Sequence, residues 1–438
     1  MLLVHVQRLT NRLGYTLNVV FQHLLRIPYQ ITTDTDYFQR HSDAKICYGP
    51  SPVGSGIFFR SAPLLFETSI TQQEVSHLLL DDTHCLFSVP QPSAMPFDPF
   101  AAIFFMLSRY EEYLPHPVDT HGRFPASQSI AFRHGFLQQA VVDRWILMVR
   151  DRILSEYPDL NFPSREPDYP FTIDIDAAYC YRHKGMLRTM RGFLLDALVR
   201  RDLPALHRRL KVILGKEKDP FDTFDYILSV TRQHPSTKPV FFILLGDYSL
   251  YDKPIAYTNR YFRLLIQHLG DSAKMGLHPS YYVAEHPEYI EVEKQRLSGI
   301  LHRNIVRTRS HFLRLRFPQT YHDLIDAGLT HDYTMGYPDE PGFRCGTGSP
   351  YPFFDLSTNQ EQPLTIHPFI VMDTTLNTYK HLSPEQAIQV YLSFINETRH
   401  TKGTLSTLWH NQNLCETFGW QGWRNVFETV ATTAGGNQ

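Results

Sequence analysis

The stretch YPFTIDIDAAYC, residues 169–180, carries two aspartates, Asp174 and Asp176, one residue apart inside an otherwise apolar, strand-like run. In a β-strand, residues i and i+2 point to one face, so the two carboxylates project together while Ile173 and Ile175 pack on the other side. Like charges at that spacing repel. They persist in an apolar setting when a cation neutralises them or when one keeps its proton, and both arrangements belong to active sites. The plainer alternative is that one aspartate caps the following helix and the other pairs with Arg182 or Lys184.

Downstream of this stretch, strand-like runs alternate with helical ones. The strands are PFTIDID (170–176), KPVFFILLG (238–246), AKMGLHPSYY (273–282), IVRTRSHFLRL (305–315) and GTLSTLWHN (403–411), with an irregular section at 332–375. Amphipathic helical stretches such as NRYFRLLIQHLG (259–270) and SPEQAIQVYLSFINETRH (383–400) separate them. Repeated βα units build a parallel sheet, and residues 166–438 suit a distorted (β/α) barrel. The basic segment 185–220 between the first two strands reads as a solvated helical pair covering one end of that barrel.

Upstream, prolines 158, 163, 167 and 170 interrupt both helix and sheet and mark a linker. Residues 1–165 before it read as a smaller α/β domain. Its short strands are QITTDTDYF (30–38), AKICYGP (44–50) and GIFFRSAPLLFE (56–67), followed by a buried helix over 98–114 and a second helix over 140–157.

Composition narrows the function. At 438 residues the chain exceeds one ordinary core. A net charge of −2 with dispersed basic residues gives no footprint for nucleic acid or an anionic membrane, so the expected partner is neutral or small. The five cysteines are widely separated and form no C-x-x-C, which points to a reducing compartment. With no secretion signal or apolar span long enough to cross a membrane in view, a cytoplasmic location is expected. Twenty-two histidines are compatible with metal chemistry.

The remaining suspicious residues fall at the ends of the other strands, where barrel enzymes place their chemistry. His278 follows AKMGL, with Ser280, Tyr281 and Tyr282 next; Arg309 and His311 follow IVRT; Trp409, His410 and Asn411 follow GTLSTL. Carboxylate and imidazole donors together suit Zn²⁺ or a similar divalent ion. The loop 331–354 is rich in glycine, proline and aromatics. Within it, Asp332 is placed to orient a histidine or hold Arg309, and Arg344 to bind a substrate carboxylate; alternatively the two stabilise the loop through neighbours. The loop's aromatics suit either stacking on sugar rings or local core. No G-x-S-x-G, H-E-x-x-H or phosphate loop occurs.

FTIDID, GLHPSY, RTRSHFLRL and LWHN, in that order, resemble the polysaccharide deacetylase family (carbohydrate esterase family 4, NodB-like). FDPFAAIFFMLSRYEEYL and GRFPASQS resemble the uncharacterised domain that precedes such domains in Bacteroidetes proteins. The resemblance implies a distorted (β/α)7 barrel that removes N- or O-acetyl groups from a carbohydrate with a divalent metal, zinc being the expected ion. It implies Asp174 as general base, Arg309 as the residue that orients it, and His410 as general acid. Asp176 and His278 are the implied metal ligands. The family's second histidine is replaced by Tyr282, leaving His311 or His410 to supply the missing nitrogen, and His311 is the expected third ligand. Tyr282, Asp332, Arg344 and Trp409 are the expected substrate contacts. Two other readings stay open: a catalytically degenerate glycan-binding or scaffolding protein, and a glycosidase pairing Asp174 or Asp176 with a carboxylate such as Asp332.

Overall fold

The LLVHV run Leu2–Val6 (β1) is buried throughout, as the central strand of a parallel sheet must be. It lies between β2 (Tyr29–Thr32) and β3 (Lys45–Gly49), and β4 (Ile57–Arg60) completes a four-stranded parallel sheet of order β2-β1-β3-β4. A small antiparallel hairpin, β5 (His77–Leu80) and β6 (Thr83–Leu86), follows. The helix Pro99–Leu107 is buried on every side. Buried Asp98 caps it by accepting from the Phe100 and Ala101 N–H groups, and also accepts from Tyr48 and the Ala62 N–H, which ties helix to sheet. This computed structural model describes residues 1–199 and 201–436.

The second sheet begins at β7 (Phe171–Ile175) and continues through β8 (Val240–Leu244), β9 (Lys274–His278), β10 (Arg307–Thr308) and β11 (His331–Asp332). β12 (Tyr351–Asp355) and β13 (Gln360–Ile366) form an antiparallel hairpin, and β14 (Val371–Met372) and β15 (Thr407–His410) complete the set. The spatial order is β12-β13-β11-β10-β9-β8-β7-β15-β14, and every neighbouring pair except β12 and β13 is parallel. Taken round from β7, chain order is ring order except for β12, which pairs outside β13, the arrangement of a distorted (β/α) barrel. Among the described residues no ladder joins β13 to β14. Residues 367–370 bridge that seam, the Phe369 N–H donating to the Met335 carbonyl and the Ile370 N–H to the Ser406 carbonyl, both at 2.9 Å.

The two sheets share one apolar core that runs from Leu2 to Ala434. Phe104 meets Phe354 edge-on at 5.1 Å, and the Tyr15 hydroxyl donates to the Pro352 carbonyl at 2.8 Å, so the hairpin β12–β13 carries much of the contact. Beside it lies a buried ionic cluster in which Glu112 accepts from Arg109 and from both sides of the Arg344 fork. Burial works against the Glu112 carboxylate, but the two guanidinium groups hold it below its usual range.

Local chemistry explains where the elements depart from expectation. Residues 30–38 split into β2 and the helix Thr35–Arg40, because the Asp34 side chain accepts from the Tyr37 N–H and starts a turn. β4 ends before Pro63, where a short 3-10 turn begins. IVRTRSHFLRL keeps strand geometry for two residues only, then turns through Phe312 (φ 58°) and Leu313 (φ 55°), left-handed conformations that bulky residues adopt at a cost.

His367, just after β13, stacks on Tyr333 at 4.2 Å and sits 3.0 Å from His331. Burial, with His331, Arg307 and Lys274 adding repulsion, pushes its pKa down to about 3 from an ordinary 6.5. Between those values the unfolded chain binds the extra proton, so stability is full above the upper value and falls as pH drops through the window. Guanidinium titrations at pH 5 and pH 7 should therefore differ less in His367→Phe than in the parent chain. An unchanged difference would contradict this assignment.

Candidate functional site

Register assembles the site. β15 pairs His410 opposite Asp174 on β7, and β8 aligns Leu244 with His278 at the end of β9. The side chains of Asp174, Asp176, His278, His311 and His410 therefore meet at the C-terminal end of the ring. There they line a cleft of about 300 Å³.

Asp174 is clamped: Arg309 Nη1 donates to its Oδ1 at 2.9 Å. Arg309 is itself buried, donates from Nε to the Tyr333 carbonyl at 3.0 Å, and lies 4.7 Å from the Phe242 ring. Gly276 permits this, since a Cβ there would stand 2.5 Å from that ring. A β-carbon at position 276 would displace the platform under the arginine.

Three imidazoles are pinned at one nitrogen so that the other faces inward. His278 Nδ1 donates to the Arg309 carbonyl at 2.5 Å, His311 Nδ1 to Asp252 at 2.8 Å, and His410 Nδ1 to Asp373 at 2.8 Å. Carbonyl and carboxylate only accept, so each ring carries its proton on Nδ1 and presents Nε2 to the cleft. The Nε2 atoms of His278, His311 and His410 lie 3.2, 3.6 and 3.8 Å from Asp176 carboxylate oxygens. Burial opposes the Asp176 charge, yet His311, His278 and His410 hold its pKa well below the usual carboxylate range. For His410, burial disfavours the imidazolium, but Asp373, Asp176 and Asp174 outweigh it and push the pKa up to about 10.

Asp176 Oδ1 is buried and accepts no hydrogen bond. One donor atom from each of Asp176, His278 and His311 lies within 4.8 Å of the others. An orphaned carboxylate oxygen beside two inward-facing imidazole nitrogens is a donor set that fits a divalent cation, with room for further ligands from the cleft.

The other expected contacts lie elsewhere. Tyr282 is exposed, stacks on His286 at 4.0 Å and does not line the cleft. Asp332 is buried behind the sheet, accepting from Tyr321 and from the Thr334 N–H and hydroxyl. Arg344 belongs to the ionic cluster with Glu112, and Trp409 faces the core, stacked on Tyr391 at 5.0 Å. Tyr333, Tyr337, Phe343, Tyr351, Phe353 and Phe354 are all core residues. Apart from Tyr282, buried strand-end and loop side chains were expected at the cleft and instead support it from behind.

The wall is built by Phe312, Tyr379, Trp420 and Met372, and by Arg123 from the N-terminal region, whose Nη1 donates to the Phe312 carbonyl at 2.8 Å. Among the described residues lining the cleft, only Asp174 and Asp176 carry carboxylates. Sequence reasoning missed Asp252 and Asp373. Asp373 ends the apolar run FIVMD at a strand end, the same signature as TIDID, and was legible; Asp252 sits in the irregular loop after β8 and was not.

Comparisons with known proteins add little chemistry. Residues 2–158 match DUF7033, a family of unknown function. No curated protein matches the chain. Among solved structures, a protein assigned as a polysaccharide deacetylase from Mycobacterium smegmatis is 14% identical with a TM-score of 0.40, covering 62% of this chain and 86% of that one. Puue allantoinase is 11% identical with a TM-score of 0.37, covering 60% and 84% respectively.

Asp252 orients His311 from outside the donor set, so Asp252→Asn should weaken divalent-cation binding by about 10–100-fold in calorimetric titrations. Affinity equal to that of the parent chain would remove Asp252 from this role.

Proposed function

We propose that the protein is a metal-dependent hydrolase that removes N- or O-linked acetyl groups from a carbohydrate. The observation that carries this reading is the convergence of three inward-facing Nε2 atoms on Asp176, beside an Arg309-clamped Asp174. Asp176, His278 and His311 would hold the cation, and zinc suits that mixture of oxygen and nitrogen donors. Bound there, it supplies a Lewis acid for the acetyl carbonyl and lowers the pKa of a water.

The chain's own groups do the rest. Asp174, held in one orientation by Arg309, takes the proton from the attacking water. His410 carries a proton on each nitrogen when charged. Asp373 keeps the Nδ1 proton, so the Nε2 proton goes to the leaving nitrogen or oxygen as the tetrahedral adduct collapses. Asp373 also accepts from the Asn413 amide at 3.0 Å and from the His410 backbone N–H at 2.8 Å, which fixes the dyad's geometry. Tyr379 and Trp420 offer aromatic faces to a sugar ring, and Arg123 brings the N-terminal region into the same wall. We treat residues 1–165 as a unit whose role includes shaping that wall. A glycosidase pairing with Asp332 is disfavoured, because that carboxyl is engaged behind the sheet.

The test is acetate release from N-acetylglucosamine oligomers and acetylated xylan by zinc-loaded protein. Asp174→Asn should keep zinc and lose about 10²–10⁴-fold in turnover, whereas His278→Ala should lose zinc as well. Zinc binding with no acetate released from either glycan class would contradict the deacetylase reading. Undiminished turnover in Asp174→Asn would contradict the role of that residue.

A further inference from the structure

The insertion between β7 and β8 is amphipathic in the inverted sense. The helix Met186–Leu194 runs on through Leu195–Val199, and the helix Leu203–Ile213 returns beside it. An ion pair is hidden between them, with Val212 also buried: Arg209 donates twice to Asp196, at 2.8 and 2.6 Å. Gly192 makes that packing possible, since a Cβ there would lie 2.5 Å from the Arg209 guanidinium.

Many of the groups shown to water are nevertheless apolar. Met186, Leu187, Leu198 and Leu203 are 76%, 84%, 69% and 70% exposed. Met190, Leu194 and Leu198 recur every fourth residue and so form one continuous face. The helical pair was expected to be solvated on its outer side, yet a run of leucines and methionines on an outer surface marks a contact site.

Charge indicates what it contacts. Residues 182–218 contain eleven lysines and arginines against three acidic residues, a net of +8 in a chain whose total is −2. Arg191, Arg201, Lys211, Lys216 and Lys218 are exposed around the apolar face. Two copies of the chain meeting through this face would oppose two such charges, which argues against self-association. Apolar side chains ringed by cations fit the headgroup boundary of an anionic bilayer.

Position gives the contact a consequence. The insertion follows the loop that leaves β7 after Asp174 and Asp176, at the cleft end of the ring. Arg188 donates to the Pro254 carbonyl at 2.8 Å and lies over Tyr248 at 4.3 Å, and Arg208 lies 6.0 Å from Phe418. Tyr248, Leu250 and Phe418 are exposed there too, so the apolar surface extends from the hairpin onto neighbouring loops.

We propose that residues 186–214 seat the cleft end of the barrel on an anionic membrane surface, with the leucine and methionine face entering the headgroup region and the surrounding cations pairing with acidic lipids. No helix among the described residues is long and apolar enough to span a membrane, so the contact is one of lying on the surface. The inference rests on the hairpin alone and holds whether or not the cleft deacetylates glycans.

Co-sedimentation of the full chain with vesicles tests it, using phosphatidylcholine alone and phosphatidylcholine with about one-third phosphatidylglycerol. The protein should pellet with the anionic vesicles and much less with the neutral ones. The triple substitution Leu187→Glu, Leu194→Glu and Leu198→Glu should lower that partitioning by at least about tenfold while leaving the thermal midpoint unchanged, because all three side chains face water. Deuterium uptake across 186–214 in the parent chain should fall when anionic vesicles are added, a readout that needs no variant. Absence of pelleting, equal pelleting of parent and triple variant, or self-association abolished by the triple substitution would each overturn the proposal.

Discussion

Nδ1 of each of three histidines is committed to an acceptor, and on that constraint the cleft depends. The Arg309 carbonyl, Asp252 and Asp373 accept hydrogen bonds from the Nδ1–H groups of His278, His311 and His410, leaving three Nε2 atoms with Asp176 between them. A free imidazole would turn towards water or a partner of its own. Held from behind, the rings have no alternative to facing one another across a carboxylate, an arrangement that in isolation concentrates like dipoles and leaves a buried oxygen without a donor.

The barrel supplies the rigidity that this needs. Parallel strands bring their C-terminal ends to one side, and the β15–β7–β8–β9 register sets His410, Asp174 and His278 there without any loop having to be ordered first. His311 is the exception. It opens a short 3-10 turn beyond a strand only two residues long and is followed by left-handed Phe312 and Leu313, so its position is held by strained backbone and by the Asp252 contact. A loop of the N-terminal region then braces the wall through Arg123, which links a region of unknown family function to the cleft.

What could be read from residues alone followed the regular parts of the chain. Period-two alternation in FTIDID and apolar runs ending in histidine at AKMGLH and TLWH located the ring strands and the ends that meet at the cleft, because both patterns are local. Asp332, Arg344 and Trp409 misled for a common reason: a charged or aromatic residue near a strand end looks the same in sequence whether it faces the cleft or the layer behind. The outcome was settled by distant partners, Tyr321 for Asp332, Glu112 for Arg344 and Tyr391 for Trp409. The central place of β1 in the first sheet is set by its pairing with β2 and β3, which a five-residue run does not announce. The hairpin 186–213 was read from its cations, and its exposed leucines became visible only when the buried Arg209–Asp196 pair showed which side faced inward.

The most direct measurement of the proposed centre is a crystal structure grown with zinc, with diffraction recorded on both sides of the zinc absorption edge. The account predicts one anomalous peak about 2.0–2.2 Å from Asp176, His278 Nε2 and His311 Nε2, with His410 left bonded to Asp373. An empty site at full zinc loading, or a peak held by other residues, would contradict it.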